Sequence, residues 1–212
     1  MTAPRLILAS ASKARAALLR AAGLAFEVAV APDAVEGAAL REARGRGAPP
    51  EELVLAAARA KARAVASSSA AAGGAPGGCV VLGADTVTVS SAGEVIGKGG
   101  DDAESEAILR RLAGSRHRVL TGAVLLALPS LRCREFTASS SVEMAPMSDA
   151  EIRAYVASGA ATGAAGAYRI QEDGTDRYVR IVEGSFSNVV GLPVEEIIRE
   201  LAAMGVLPAR AG

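Results

Sequence analysis

An aspartate that follows a short apolar run has the clearest capacity for chemistry in this chain. The run Cys79-Val80-Val81-Leu82 leads into Gly83-Ala84-Asp85-Thr86, and such a run is typical of a buried strand. We therefore expect Asp85 at the carboxyl end of that strand, which is where open α/β sheets bind ligands. Gly83 would let the backbone approach a ligand closely. The alternative is an ordinary turn residue, since aspartate is common in turns.

A second candidate site lies near the start of the chain. The apolar run Leu6-Ile7-Leu8 predicts a strand, and Ser10-Ala11-Ser12 separates it from a helical pattern that begins at Lys13. A helix N-terminus offers free backbone N–H groups and a dipole that favour an anion. Ser10 and Ser12 add hydroxyl donors, and Lys13 and Arg15 add positive charge. Ordinary capping by Ser12 beside a solvated basic face explains the same residues equally well.

Two carboxylates lie close together in the next segment. We predict a loop at Pro32–Gly37, which contains Asp33 and Glu36, and a mobile connector over residues 41–49. Carboxylates so close in sequence could hold a hard cation through oxygen ligands. A polar surface loop is the simpler interpretation of the spacing alone.

A predicted hairpin brings a lysine back toward Asp85. Val87–Ser90 and Glu94–Gly97 alternate in polarity around a turn, which is the pattern of a β-hairpin. Its second strand ends at Lys98, where we expect the chain to return to the neighbourhood of Asp85. Another lysine, Lys61, lies in a small-residue helix, where a lone lysine is usually solvated.

Two further polar residues, Gln171 and His117, are candidates for different roles. Gln171 follows the small-residue stretch Gly163–Ala167 and offers an amide that can both donate to and accept from the edge of a base. His117 is the one histidine of the sequence. No G-x-S-x-G elbow accompanies it, so we predict a structural or edge role rather than a catalytic triad.

Composition narrows the function further. The chain has 212 residues, of which half are hydrophobic, and its formal net charge is zero. One large domain or two intimate lobes fit this length, and the balanced charge argues against a nucleic-acid binder. Aromatic residues make up 3% of the chain, which leaves little material for stacking bases. A local basic site for an anionic small molecule remains compatible with these numbers.

Location and flexibility follow from a few simple features. The two cysteines, Cys79 and Cys133, are far apart in sequence, which fits a reducing compartment. We find no apolar run long enough to span a membrane and no signal-peptide pattern, and we expect a cytoplasmic protein. The Ser, Ala and Gly-rich segment 67–78 predicts a flexible loop without catalytic residues.

Six short motifs, taken together, resemble the Maf family. They occur in the order of that family and span residues 6 to about 204. The motifs are Leu6–Arg15, Gly83–Thr86, Gly97-Lys98, Leu112–Gly122, Ala165–Gln171 and Val189–Pro193. The resemblance implies an α/β fold with an elongated mixed β-sheet flanked by helices, similar to inosine-triphosphate pyrophosphatases. It also implies one domain over residues 1–212, built of two lobes with a central cleft.

The resemblance also implies an activity. Maf proteins hydrolyse nucleoside triphosphates to the monophosphate and pyrophosphate with a divalent cation, Mg²⁺ or Mn²⁺, and are often homodimers. The Ala-Gly-Ala-Tyr-x-Ile-Gln form is similar to the branch that acts on dTTP and UTP, and it makes Thr86 and Gln171 candidates for base selection. Lys13 and Ala14 depart from the family's usual Ser-x-Ser-Pro-Arg-Arg motif, which has Pro and Arg at these positions. The alternatives are a pyrophosphatase for modified or non-standard nucleotides such as 7-methyl-GTP, or a non-catalytic nucleotide-binding regulator of cell division.

The family match suggests a role for each candidate residue. Asp85 would be the general base toward the attacking water and, with Glu36, a metal ligand. The expected partner is a nucleoside triphosphate, with no nucleic acid and no membrane. The residues expected to surround the triphosphate are Ser10, Ser12, Arg15, Lys61 and Lys98.

Overall fold

The structure is a computed structural model that describes residues 4–68, 78–171 and 177–207. The strands are β1 Arg5–Leu8, β2 Glu27–Val28, β3 Cys79–Val89, β4 Val95–Ile96, β5 Arg116–Leu128, β6 Cys133–Met144 and β7 Val179–Glu183. The helices of these residues are α1 Lys13–Ala21, α2 Asp33–Gly45, α3 Pro50–Ala66, α4 Asp102–Leu112, α5 Asp149–Ala157, α6 Phe186–Val190 and α7 Val194–Ala203. Most of the loop predicted at 67–78 lies outside the described residues.

The seven strands of the described residues belong to one open, mixed sheet. Their order is β2-β1-β3-β5-β6-β7, with β4 paired to β3. Strand β1 pairs in parallel with both β2 and β3, whereas β3 with β4 and β6 with β7 are antiparallel. A mixed sheet flanked by helices confirms the predicted α/β class. None of the helices in the described residues is long and apolar enough to cross a membrane.

The chain divides into two compact units. The first holds the described residues up to Asp85, residues 121–137 and those from 191 onward, and the second holds residues 86–120 and 138–190. Strands β3, β5 and β6 each contribute residues to both units.

The core of the first unit lies on both faces of β1 and β3. Side chains alternate across a strand, so Leu8 and Leu82 pack with Leu19 and Ile197 on one face. Ile7 and Val81 then pack with Ala58 and Ala62 of α3 on the other. Burial on both faces explains why the two strands read as unbroken apolar runs rather than alternating ones.

Helix α3 approaches the sheet unusually closely at two glycines. A Cβ atom on Gly83 of β3 would lie 2.3 Å from the carbonyl oxygen of Ala58, and one on Gly122 of β5 would lie 2.6 Å from the carbonyl carbon of Val54. Real Cβ atoms do not approach so closely, so both positions require glycine. The glycines set the distance between α3 and the strand that carries Asp85.

The predicted end of the Asp85 strand was wrong. Strand β3 continues through Asp85 to Val89, because almost every residue past Asp85 is still buried and β4 pairs with its last residues, Thr88 with Ile96 and Val89 with Val95. The parallel neighbour β1, however, ends at Leu8, which is opposite Leu82. Asp85 therefore lies within β3 but beyond the carboxyl end of β1, on a stretch that β1 no longer covers.

The predicted loop at Pro32–Gly37 and the connector at 41–49 were also wrong. Both belong largely to helix α2, Asp33–Gly45. Asp33 and Glu36 lie in its first turn and Arg44 in its last, which matches the helix dipole at each end.

The second unit contains the best-defined helix caps. Asp101 accepts a hydrogen bond from the Glu104 backbone N–H at 2.8 Å at the start of α4. At the start of α5, Ser148 and Glu151 form both hydrogen bonds of a capping box, as the sequence predicted. The apolar faces of α4 and α5 meet in a core that includes Leu109, Leu112, Met144, Ile152 and Val156.

His117 lies inside this core and not at an exposed edge. It is 2% exposed, and its Nε2 atom lies 2.8 Å from the Tyr168 hydroxyl. Burial lowers the pKa of His117 to about 4, so the ring is neutral at physiological pH. The predicted structural role matches this position.

We expect Gly83→Ala to destabilise the protein by about 1–3 kcal/mol, the usual cost of forcing extra volume into a packed site. The new methyl group would collide with the backbone of α3, which cannot move aside cheaply. Thermal unfolding followed by circular dichroism measures the effect. Gly45→Ala is the matched control, since nothing lies within 4 Å of its Cβ position; equal stability of the two variants would contradict the close packing.

His117 should make stability depend on pH. The unfolded histidine binds a proton near pH 6.5 and the folded one near pH 4, so its contribution is complete above pH 6.5 and is lost as the pH falls toward 4. The expected loss is about 2 kcal/mol by pH 5. Urea unfolding at pH 7.5 and pH 5 measures it. His117→Gln should lose this part of the dependence, and an unchanged difference between the two pH values would refute the assignment.

Candidate active site

The ammonium of Lys61 connects two carboxylates of the first unit. Its Nζ atom lies 2.8 Å from Asp85 Oδ1 and 2.7 Å from Glu36 Oε2. It also donates to the backbone carbonyl of Ala84 at 3.3 Å. One nitrogen atom of α3 therefore binds a side chain of β3, a side chain of α2 and the backbone of β3.

The local fold explains why these three side chains meet. Gly83 faces α3, and Asp85 lies two residues further on the same strand, so its side chain leaves on the same face. Lys61 lies on α3 between the residues that pack on Gly83, Ala58 and Ala62. Helix α2 supplies Glu36 from its first turn.

The three groups differ in their access to water. The side chains of Asp85 and Lys61 are 6% and 12% exposed, and that of Glu36 is 32% exposed. Charges in such surroundings are tolerated only when they are paired and hydrogen bonded. The cluster satisfies this condition, with the most buried carboxylate bound to the most buried ammonium.

The start of α1 forms the second part of the candidate site. The Ser12 hydroxyl accepts from the Arg15 backbone N–H at 3.3 Å, which makes it the N-cap. The Ser10 hydroxyl accepts from the Ser12 backbone N–H at 3.2 Å and from Arg15 Nη1 at 3.1 Å. With both acceptor positions of Ser10 occupied by N–H groups, its own proton is available as a donor.

Arg15 is buried beneath this turn. Its Nε atom donates to the carbonyl of Gly191 at 2.8 Å, which joins the start of α1 to the segment before α7. Burial lowers the pKa of Arg15, while the charges of Asp85 and Glu36 act in the opposite direction. The field of the carboxylate pair therefore reaches the guanidinium, and the two parts belong to one electrostatic site.

The formal charges of this site cancel. Arg15 and Lys61 supply two positive charges, and Asp85 and Glu36 supply two negative ones. A neutral set of buried charges is far less costly than an unbalanced one. Any ligand that adds charge here must bring its own counter-charge or displace a group already present.

The remaining candidates lie in the second unit. Thr86 follows Asp85 on β3 and is half-buried. Lys98 is exposed, and its backbone forms a bridge with Ala165. Gln171 is exposed in the segment that follows. The structure thus places Ser10, Ser12, Arg15, Lys61, Asp85 and Glu36 in the first unit, and Thr86, Lys98 and Gln171 in the second.

Two contributors were missed by the sequence analysis. They are the backbone carbonyls of Ala84 and Gly191, which accept hydrogen bonds from Lys61 and Arg15. Gly191 belongs to the motif Val189–Pro193, for which the sequence predicts no role. A backbone acceptor carries no side-chain signal; the positive φ of 122° at Gly191, a conformation that favours glycine, is visible only in the structure.

The donor set is suited to sharing a divalent cation with a substrate. Within the part of the chain that the structure describes, no three His, Cys, Asp or Glu side chains are grouped as a complete metal cage. Glu36 and Asp85 nevertheless direct one oxygen each at the same point, which Lys61 holds. Magnesium is commonly bound through one or two carboxylates together with phosphate oxygens, and this pair fits that pattern.

Comparison with known protein families matches residues 5–204 to the family described as Maf-like protein. The chain belongs to the Maf-like family. The match covers all of the candidate residues named above and confirms the resemblance found in the sequence motifs.

Several curated relatives of this Maf-like chain are named dTTP/UTP pyrophosphatase. One from Geotalea uraniireducens is 41% identical over 95% of this chain and 96% of its own length. Another from Salinibacter ruber is 40% identical over 93% and 90%. A third, from Anaeromyxobacter dehalogenans strain 2CP-C, is 42% identical over 96% and 95%.

Arg15→Lys should destabilise the chain although it preserves the charge. A lysine cannot reproduce the guanidinium fork that binds both Gly191 and Ser10, and a buried charged hydrogen bond is worth about 2 kcal/mol. Urea unfolding at neutral pH measures the loss. Arg20→Lys, an exposed position of the same helix, should be nearly neutral; equal losses in the two variants would argue against the anchoring role of Arg15.

Proposed function

We propose that this chain hydrolyses dTTP and UTP to the nucleoside monophosphate and pyrophosphate. The observation that carries the proposal is the buried Asp85 carboxylate, held by Lys61 at 2.8 Å in the same electrostatic site as the start of α1. A fixed carboxylate and an anion-binding helix end are what phosphoanhydride hydrolysis needs. The names of the curated relatives support the same reaction and the same nucleotides.

Asp85 would act as the general base. Before a cation binds, the hydrogen bond from Lys61 fixes the orientation of this carboxylate, which can accept a proton from a water molecule. Proton transfer by a positioned side chain typically contributes on the order of 10²–10⁴ in rate. Only Oδ1 is described as bound to Lys61, and we assign Oδ2 to the water.

The start of α1 would bind phosphate oxygens. Its free backbone N–H groups and dipole favour an anion, and the Ser10 proton is an additional donor. Ser12 and Arg15 hold this turn in shape, as their hydrogen bonds to the backbone and to Ser10 indicate. Lys98 is our candidate for a further phosphate contact.

A divalent cation, Mg²⁺ or Mn²⁺, would be held by Glu36 and Asp85. Bound there, it would neutralise negative charge on the phosphate chain. Glu36 is the more exposed of the two carboxylates, so its side chain can contact a ligand without a rearrangement of α2.

We assign base selection to Thr86 and Gln171. Both offer polar groups that can donate and accept hydrogen bonds, and Gln171 is exposed. Ala14, half-buried on α1, lacks the arginine side chain of the family motif, so these two residues would carry more of the selectivity. The homodimer and the cytoplasmic location stay predictions.

Pyrophosphate release from dTTP, UTP, CTP, 5-methyl-UTP, 7-methyl-GTP and ITP, with Mg²⁺ or Mn²⁺, tests the proposal. We expect turnover of dTTP and UTP, and a loss on the order of 10²–10⁴-fold in Asp85→Asn, which removes the base but keeps its size. Asp33→Asn is the matched control, because Asp33 is exposed on the same helix as Glu36 and should retain turnover.

Each outcome has a clear meaning. A folded Asp85→Asn variant with near-wild-type turnover would disprove the base assignment. Preference for another nucleotide would retain the reaction and shift the question of selectivity to Ala14. No release of pyrophosphate from any nucleotide would refute the proposed activity and favour a non-catalytic nucleotide-binding protein.

A further inference from the structure

The ammonium of Lys61 has all three of its donors engaged. An ammonium carries three N–H groups, and here three acceptors surround it: Asp85 Oδ1, Glu36 Oε2 and the Ala84 carbonyl. In this arrangement Lys61 serves acceptors of the protein itself. It could contact a phosphate chain only after releasing one of them.

The two carboxylates depend on this ammonium. Their oxygens lie within hydrogen-bond distance of the same nitrogen atom, so they are close to each other. Two negative charges so near, one of them on a side chain only 6% exposed, repel strongly where water is scarce. A positive group between Asp85 and Glu36, which is Lys61 in this structure, offsets this repulsion.

The charge balance of the site limits how a divalent cation can bind to Asp85 and Glu36. Arg15 and Lys61 already neutralise Asp85 and Glu36, and the field of both carboxylates reaches Arg15. Arg15 is fixed by its hydrogen bonds to Gly191 and Ser10. Lys61 is attached through a flexible four-carbon stem and can move away, whereas Arg15 cannot without breaking the start of α1.

We propose that Lys61 is an internal counter-ion that competes with a divalent cation for Asp85 and Glu36, and that cation binding releases its ammonium toward the phosphate chain. This rests on the function proposed above, because the phosphate chain supplies the negative charge that the released ammonium needs. Lys61 is then a positioning residue before substrate arrives and a phosphate ligand afterwards. The same two oxygens serve first the ammonium and then the metal.

Manganese binding to the nucleotide-free protein tests the competition. Free Mn²⁺ is measured by electron paramagnetic resonance for the wild type, Lys61→Met and Arg63→Met. Lys61→Met removes the competitor and should bind Mn²⁺ more tightly, on the order of tenfold, within the usual range of coupling between two ligands. Arg63→Met removes the same charge from an exposed position of the same helix and should resemble the wild type.

Several results would overturn the proposal. Equal or weaker Mn²⁺ binding by Lys61→Met would show that Lys61 does not oppose the cation. An equal gain in Arg63→Met would reduce the effect to general electrostatics. Absence of Mn²⁺ binding in both the wild type and Lys61→Met would show that this pair of carboxylates does not bind the cation.

A second measurement needs no variant and remains available if Lys61→Met does not fold. The sequence has three lysines, Lys13, Lys61 and Lys98, so reductive methylation of each can be followed by mass spectrometry. Mn²⁺ should speed the methylation of Lys61, because a released ammonium is more accessible, while Lys13 and Lys98 serve as internal references. An unchanged or slower rate at Lys61 would contradict the release.

These measurements use no nucleotide, which separates the two proposals. If Mn²⁺ displaces Lys61 but no nucleotide is hydrolysed, the exchange stands and the proposed function fails. If dTTP is hydrolysed but Lys61 does not respond to Mn²⁺, the function stands and the exchange fails.

Discussion

The contact between α3 and the sheet is the constraint on which the candidate site depends. Gly83 and Gly122 remove the side chains that would otherwise hold the helix away, and the alanines of α3 fill the narrow space. An aspartate two residues beyond Gly83 must then face the same helix. Close backbone packing, rather than any attraction between charges, is what brings Lys61 within reach of Asp85.

The electrostatics follow from that packing. A lysine and an aspartate placed so close to the core would be costly as single charges, and each is tolerated because the other is present. Glu36 and Arg15 complete a set whose charges cancel. The site is thus assembled from three helices and one strand, with each helix supplying one charged group that the others require.

The starts of two helices could be predicted from the sequence. Ser12 as the cap of α1 and the capping box at Ser148 both have local signals, and both were found. The end of β3 and the existence of α2 were missed, because pairing with β4 and packing against α3 are tertiary effects that no short pattern records. The ion pairs of Lys61 were missed for the same reason: a lysine among alanines looks solvated until the strand beneath the helix is known.

The division into two units has a consequence for optical studies of this protein. The sequence contains no tryptophan and three tyrosines, namely Tyr155, Tyr168 and Tyr178, and all three lie in the second unit. Intrinsic fluorescence therefore reports on that unit, whereas Asp85, Glu36 and Lys61 lie in the other. A tryptophan introduced into the first unit would give the carboxylate site an optical signal of its own.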